Sequence, residues 1–344
     1  MQSHRSRSAL ILPVSIRDVA ERAGVSRGTV SKVLNDTSDC RVAPATRELI
    51  RRAAQDLNYR PNTMAQSLSR KRSDTIGLMM SGLRNPFFVG LLEAAETLAT
   101  KERYSVLTET GRSSDGTYAS HGKLSGWPVD GVIMWTMPHQ YAEEFIGARA
   151  NSIPVVYIGF ERAMTDDAIF FDLYDGARQS ARHLIARGYK KIGYIAPWAD
   201  HISGPRYLAC ADACAHAGVE IEYILMESHE ETQRSGIQTA AAIASRPPST
   251  RPDAVICHND VVALGVMHGF RRAGLRIPSD IAIVGFDGID EGQCEDLPLT
   301  TVHCDVYALC EAALNLLTRR LHEREPSTPR HIMIPTRLII GETT

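Results

Sequence analysis

The stretch VSIRDVAERAGVSRGTVSKVLN, residues 14–35, decides how the first part of this chain folds. Ile16, Val19 and Ala20 recur at helical spacing, which predicts a helix over 16–23. Gly24 follows, the residue type that takes the positive φ of a tight turn without steric cost. Val25 plugs the corner, and Ser26 is a good N-cap for a second helix over 27–34. Val30, Val33 and Leu34 then face inward, leaving Arg27, Gly28, Ser31 and Lys32 on the outer face near the helix start. This is the pattern of a helix-turn-helix, in which that end of the second helix meets base edges. A small bundle with a solvated polar face fits the same spacing.

Charge separates the two readings. The outer face is Ser, Thr, Arg and Lys with no acid. Residues 1–72 hold 14 Lys and Arg against 6 Asp and Glu, a net +8; the remaining residues hold 24 against 34, a net −10. The linker behind the helices is also basic, at Arg70, Lys71 and Arg72. A basic head on an acidic body directs the head alone to a polyanion, which favours nucleic acid.

A third helix is expected over 44–57, with Leu49, Ile50, Ala53, Ala54 and Leu57 on its inner face. Residues 59–74 read as a linker. Short apolar runs then alternate with amphipathic stretches: 75–80, 104–109, 130–135, 153–159, 191–196, 222–226, 253–258 and 281–287. The runs are continuous rather than alternating, so both faces of each strand should be buried in parallel sheets wound by βα units. So many strands exceed one comfortable core, which predicts two α/β lobes.

Composition narrows the class. Of 344 residues, 44% are hydrophobic and 23% charged, as in a globular protein with a sizeable core. No apolar run approaches the ~20 residues that span a bilayer. Residues 1–15 faintly resemble a signal peptide, but the apolar part, Ala9 to Val14, is short and contains Pro13, and no small-residue cleavage site follows. They read as a disordered basic arm, which places the protein in the cytoplasm. The seven Cys are odd in number and form no CxxC. Cys210, Cys214 and His216 share a helical stretch, yet three such residues on one turn rarely close a metal site, and buried thiols are expected instead.

No catalytic set is evident. GxSxG, HExxH and GxGxxG are absent, and GRSSDGTY (111–118) has P-loop glycine spacing with Thr117 where the Lys belongs. The histidines look scattered, as surface or satisfied core groups. The expectation is a non-enzyme without cofactor or metal. A binding cleft fits better, because ligands of parallel α/β sheets sit at the carboxyl ends of strands. Asn259 and Asp260 follow one strand, Asp287 ends another, Arg206 opens a helix after a third, and Phe87 and Phe88 follow the first. Such fixed polar groups with an aromatic face suit a polyhydroxylated or heterocyclic ligand. Equally, Asn259 and Asp260 could cap a helix starting at Val261, and Phe87 and Phe88 could be core.

IRDVAERAGVSRGTVSKVLN and TRELIRRAAQDLNYRPNTMAQSLSRKRSDTIGLMM resemble the lactose/galactose-repressor family of bacterial transcription regulators. LRNPFF, HLIARGYKKIGYIA, ICHNDVVALGVMHGFRRAGLRIPSDIAIVGFD and LPLTTV continue the resemblance, in the family's order and over nearly the whole chain from Val14. It implies a small all-α headpiece with a hinge helix, then a two-lobed α/β body of parallel sheets like a periplasmic binding protein. The divisions are an arm (1–13), a headpiece (14–60), a hinge (61–72) and an effector-binding, dimerising body (73–344).

By that resemblance Arg27, Gly28 and Lys32 read bases, while Ser15, Arg17, Ser26, Thr29, Ser31, Asn35 and Asn62 touch phosphates or flank the bases. Ala65 and Leu68 of the hinge enter the minor groove, a wedge that fits the physics of such binders. Arg206, Asn259 and Asp287 match effector contacts, and Phe87 and Phe88 match the stretch where the purine-responsive member stacks its ligand. Several positions depart. The loop 35–47 is about two residues longer than in the lactose repressor, so DNA contacts from Ser38 to Arg41 do not carry over. Gly28 offers no side chain. Ala209 replaces a Gly, Glu231 or Gln233 stands for a pocket Trp, and Val306 for a pocket Phe, so effector specificity does not carry over either.

The expected protein is a regulator, most simply a repressor, that binds a palindromic operator in duplex DNA as a homodimer. Its effector would be a sugar, a sugar derivative or a nucleobase-like compound in the cleft. The hinge, shorter than the ~12–15 residues that make an isolated helix even marginal, would order only on DNA. PTRLIIGETT closes the sequence without a leucine-heptad tail, so assembly beyond dimers is not expected. A sugar-transport protein and a βα enzyme are the rival readings; the basic head and the missing signal peptide disfavour the first, and the missing catalytic set disfavours the second.

Overall fold

The computed structural model describes residues 14–34, 42–60, 72–110, 128–135, 153–159, 166–322 and 328–344. The chain divides into two compact units at Ser73/Asp74. Asn35, residues 38–41, the P-loop-like stretch 111–118, and Asn62, Ala65 and Leu68 of the hinge lie outside the described residues, as do residues 1–13.

The first unit holds α1 (Ile16–Ala23), α2 (Arg27–Leu34) and α3 (Pro44–Asp56). Asp18 Oδ2 accepts from the Ser15 amide at 2.7 Å and from its hydroxyl at 2.8 Å, which closes the start of α1. Gly24 ends it at φ 64°, and the Ser26 hydroxyl accepts the Thr29 amide at 3.1 Å to start α2. Val19, Ala20, Ala23, Val30, Val33, Ile50, Ala53 and Ala54 form the core. Burial of each branched side chain contributes ~1.5–3 kcal/mol, so a core this small has little to lose. Leu49 departs from expectation and is 50% exposed. The inward face of α3 runs through Ile50, Ala53, Ala54 and Leu57, at i, i+3, i+4 and i+7, and Leu49 sits one helical step off it.

The second unit has two six-stranded sheets. In chain order its elements are β1 (Thr75–Met80), α4 (Pro86–Lys101), β2 (Ser105–Thr110), β3 (Gly131–Trp135), β4 (Val155–Gly159), β5 (Ala168–Phe171), α5 (Leu173–Ala186) and β6 (Lys191–Ala196). A 3-10 turn (Ala199–Ser203), α6 (Pro205–Ala217), β7 (Glu220–Leu225), α7 (Gln233–Ala244), β8 (Ala254–Cys257) and α8 (Asp260–Arg272) follow. β9 (Ala282–Asp287), α9 (Asp290–Gln293), β10 (Thr300–His303), α10 (Val306–His322), β11 (His331–Ile334) and β12 (Arg337–Ile339) complete it.

The sheet of the first lobe is ordered β11-β5-β4-β3-β1-β2 and that of the second β12-β10-β9-β8-β6-β7. All pairings are parallel except β10 with β12. Helix α5 packs with the second lobe, whereas α10, which follows β10, packs back on α4, β3, β4 and β5 of the first. The chain therefore crosses between lobes three times, near Asp172, Asp305 and Pro335. The Thr336 hydroxyl donates to the Asp172 carbonyl at 2.8 Å and ties two of the crossings together.

Four strands of three or four residues each, β5, β10, β11 and β12, escape the sequence reading. The expectation of strands buried on both faces holds for β1, β3, β8 and β9 but not for β2 and β7, which are sheet edges with polar residues on an open face.

Helices α7 and α8 approach closely through glycines. A Cβ on Gly265 would collide with the Gln233 backbone, and one on Gly269 would meet Ala240 Cβ at 2.5 Å. Gly265→Ala should therefore destabilise the body by about 1–3 kcal/mol through overpacking. Calorimetry should show an earlier body transition, and an unchanged midpoint would refute this account of the packing.

Candidate functional site

Two sets of candidate residues fall on different units. In the first, Arg17, Ser26, Arg27, Gly28 and Lys32 are exposed, Ser15 is exposed beside them in the chain, and Thr29 and Ser31 are half-buried. Several are also used locally. Arg17 pairs with Glu21 at 2.9 Å, Ser15 bonds Asp18, and the Ser26 and Thr29 hydroxyls meet at 2.9 Å. The face keeps the basic, acid-free character of α2, whose first turn contains no Asp or Glu.

The second set gathers at the carboxyl edge of the second lobe. Arg206, second residue of α6, is buried; its Nη1 donates to the His258 carbonyl at 2.6 Å and its guanidinium lies 4.2 Å from the Phe286 ring centre. Asn259 caps α8, accepting the Val262 amide at 2.9 Å, and its Nδ2 donates to Glu231 Oε2 at 2.5 Å. The capping and binding readings of Asn259 are thus not exclusive: one end of the amide serves the helix, the other holds a side chain of the site.

Asp260 begins α8, one residue before the expected start. Its carboxylate is buried and accepts the Gly288 amide at 2.7 Å, the Ile289 amide at 2.9 Å and the Thr301 hydroxyl at 2.5 Å. These bonds fix the loop after β9. Asp287 ends β9 at φ 122°, a strained conformation for a residue with a Cβ. Burial, then the charge of Asp260, raises the Asp287 carboxyl well above its ordinary range. Burial likewise pushes Asp260 up to about 6, against the three hydrogen bonds that favour its ionised form.

Asp287 also reaches the other lobe. Asn85 caps α4, accepting the Phe87 amide at 3.0 Å, and donates its Nδ2 to Asp287 Oδ2 at 3.0 Å. Phe87 is buried, packed edge-on against Phe88, Trp135 and Phe171 at 5.4, 5.5 and 6.2 Å; Phe88 is the half-buried ring of the pair and lies 5.1 Å from Trp135.

Sequence reading missed Asn85, whose partner lies 202 residues away. It also took the histidines as scattered, yet His201, His229 and His258 surround Trp198, with ring centres 5.0, 6.5 and 6.4 Å from it. Their position after three neighbouring strands was the signal available. Val306 opens α10, Ala209 is fully buried, and Gln233 is exposed at the start of α7, whereas Glu231 accepts from Asn259. Cys210 and Cys214 are buried thiols, the latter raised by burial to about 11, and His216 instead bonds the Asp212 carbonyl. Among the described residues no helix is long and apolar enough to cross a membrane.

Comparison with known proteins converges on one group. Residues 15–62 match the family described as bacterial regulatory proteins, lacI family, and residues 181–344 match a periplasmic binding protein-like domain. The transcriptional repressor PurR of Photorhabdus laumondii is 32% identical over 320 residues, covering 90% of this chain and 92% of PurR. The chain belongs to the LacI family. The Lac repressor dimer bound to operator and the anti-inducer ONPF has a TM-score of 0.82 at 28% identity, covering 96% of this chain and 99% of that one. The CelR–cellobiose complex has a TM-score of 0.68 at 28% identity, covering 96% and 100%. This LacI-family chain is a transcriptional regulator, with a DNA-binding helix-turn-helix and a two-lobed ligand-binding body, and its relatives are regulators rather than enzymes.

The carboxyl pair makes stability depend on pH. A carboxyl raised in the folded state contributes stability that is complete below its unfolded value, ~3.9, and lost as pH rises through the folded value, about 6 for Asp260. Asp260→Asn should flatten the decline in denaturation midpoint between pH 4 and 6; an unaltered slope would remove the pair as its cause.

Proposed function

We propose that the chain is a repressor that binds a palindromic operator as a homodimer and is controlled by a sugar or sugar derivative held between the lobes of its body. It would act in the cytoplasm, associated with the nucleoid through its operator. The observation that carries this reading is the convergence of Arg206, Asn259 and Asp287 from three successive strand ends, with Asn85 of the opposite lobe bonded to Asp287. The solved relatives bound to cellobiose and to operator support the choice of partners.

In the headpiece, Arg27 and Lys32 carry the base readout and Gly28 lets the backbone approach closely. Ser15, Arg17, Ser26, Thr29, Ser31, Asn35 and Asn62 position the headpiece on phosphates, and Ala65 and Leu68 wedge the minor groove. In the body, Arg206, Asn259 and Asp287 hold hydroxyls, and Phe88, backed by Phe87, offers an aromatic face. A ligand that hydrogen-bonds Asp287 displaces the Asn85 amide and so acts on a contact between lobes. It shifts the lobe equilibrium by its differential affinity for the two arrangements.

Arg27→Ala should weaken specific operator binding by about 1–3 kcal/mol and random-sequence binding much less, measured by fluorescence anisotropy at fixed salt. Equal losses on both would make Arg27 a phosphate contact. Asp287→Ala or Arg206→Ala should abolish the response of operator affinity to the effector. A variant that responds like the parent would exclude that residue from the site.

A further inference from the structure

The reading of the cleft as the effector site leaves the histidines around Trp198 without a role. They stand on the same edge. Trp198 and His201 follow β6, His229 follows β7 and His258 follows β8, and β8 is the strand beside β9 and its Asp287. His201 stacks on His258 with ring centres 4.7 Å apart and 28° between planes. The His258 carbonyl receives Arg206 Nη1, so imidazole and guanidinium share one wall.

The start of α6 lies in the same place. The His201 carbonyl accepts the Gly204 amide at 3.0 Å, directly before the helix. Gly204 is the N-cap and has no side chain to cap the first amides, and the first turn contains no acid. A 13-residue helix leaves its partial positive charge at that end. Independently, His258 is only 8% exposed, and its Nδ1 is buried without a hydrogen-bond partner. An unmet buried polar atom is costly, and a ligand group would relieve it.

We propose that the N-terminus of α6, Arg206, His201 and His258 form an anion subsite that takes a carboxylate or phosphate carried on a hydroxylated effector, while Asp287 and Asn259 hold its hydroxyls. The inference rests on the effector-site reading of the preceding subsection and adds the chemical class. Helix amides and guanidinium suit anionic oxygens, and imidazole donates to them through its N–H, with both ring nitrogens donating and a charge added when it is protonated. The acids of the site are already engaged: Glu231 by Asn259, Asp287 by Asn85, and Asp260 by the loop after β9.

A proton accompanies the anion. In the free protein burial, Arg206 and His201 all lower the His258 pKa well below its ordinary value, so His258 is neutral. Asp260 and Glu231 raise the Asp287 carboxyl, which Arg206 and Asn85 lower, and Glu231 accepts from Asn259. An anion beside the imidazole opposes the lowering by burial, Arg206 and His201 and so favours proton uptake on binding. Affinity for acidic effectors therefore rises as pH falls.

Calorimetric titration of the full chain with matched sugars tests this: glucose against glucuronate and glucose 6-phosphate, galactose against galacturonate, and cellobiose. An acidic or phosphorylated member should bind roughly tenfold tighter or more than its neutral counterpart, the scale of one charge-assisted hydrogen bond. Its binding enthalpy should depend on buffer ionisation, which reports proton uptake. Glucuronate and glucose 6-phosphate distinguish carboxylate from phosphate. His258→Gln should erase the preference, and so should His201→Gln, which alters a less buried ring and guards against a folding defect at His258. Neutral sugars that bind as tightly as acids and are lost in Asp287→Ala would overturn the inference and leave the effector site standing. A preference that survives both histidine variants would overturn it too. Binding of no panel member, neutral or acidic, would overturn both readings.

Discussion

The architecture of the cleft depends on one buried carboxylate. Asp260 accepts two backbone amides and a hydroxyl, and it can do so because Gly285 of β9 leaves no Cβ in its way. Those bonds hold the Gly288–Ile289 turn, which in turn keeps Asp287 at its strained φ. Two carboxyls this close in a dry site resist ionising together. In this conformation Asp287 accepts from Asn85 of the other lobe. One side chain thus links the interior of the second lobe to the helix start of the first.

Parallel sheets place every strand's carboxyl end on the same edge, so chemistry from β6, β8 and β9 meets without long loops. Arg206 and Asn259 illustrate the economy of this arrangement. Arg206 lies at the first turn of α6, and Asn259 caps α8 with one end of its amide while the other end holds Glu231. Each of these helix starts therefore carries a structural contact and a candidate site residue at once.

Much of this was legible in the sequence. Periodicity, Gly24 and Ser26 specify the helix-turn-helix, because each signal is local: an apolar face, a turn residue, a cap. The buried central strands were equally plain as apolar runs. Edge strands β2 and β7 carry polar residues, and β10 to β12 are too short for a periodic signal. Arg206, Asn259 and Asp287 could be found because strand ends and helix starts are local features. Asn85 could not, since its role is set by a residue 202 positions away, and neither could the stacking of His201 on His258.

The three crossings between lobes set an order of events during synthesis. Strands β1 to β5 of the first lobe are complete once residue 171 has been made, yet α10 and β11, which cover and extend that sheet, come only at 306–334. Leu309, Leu314, Leu316 and Leu317 of α10 are buried in the finished protein. Until α10 emerges, the apolar surface it covers stays open on the nascent chain. At ~5–20 residues per second that interval is on the order of 10–30 s. The second lobe, all but its last strand, is made during that wait, so the half of the body synthesised first is closed only after most of the other half has been made.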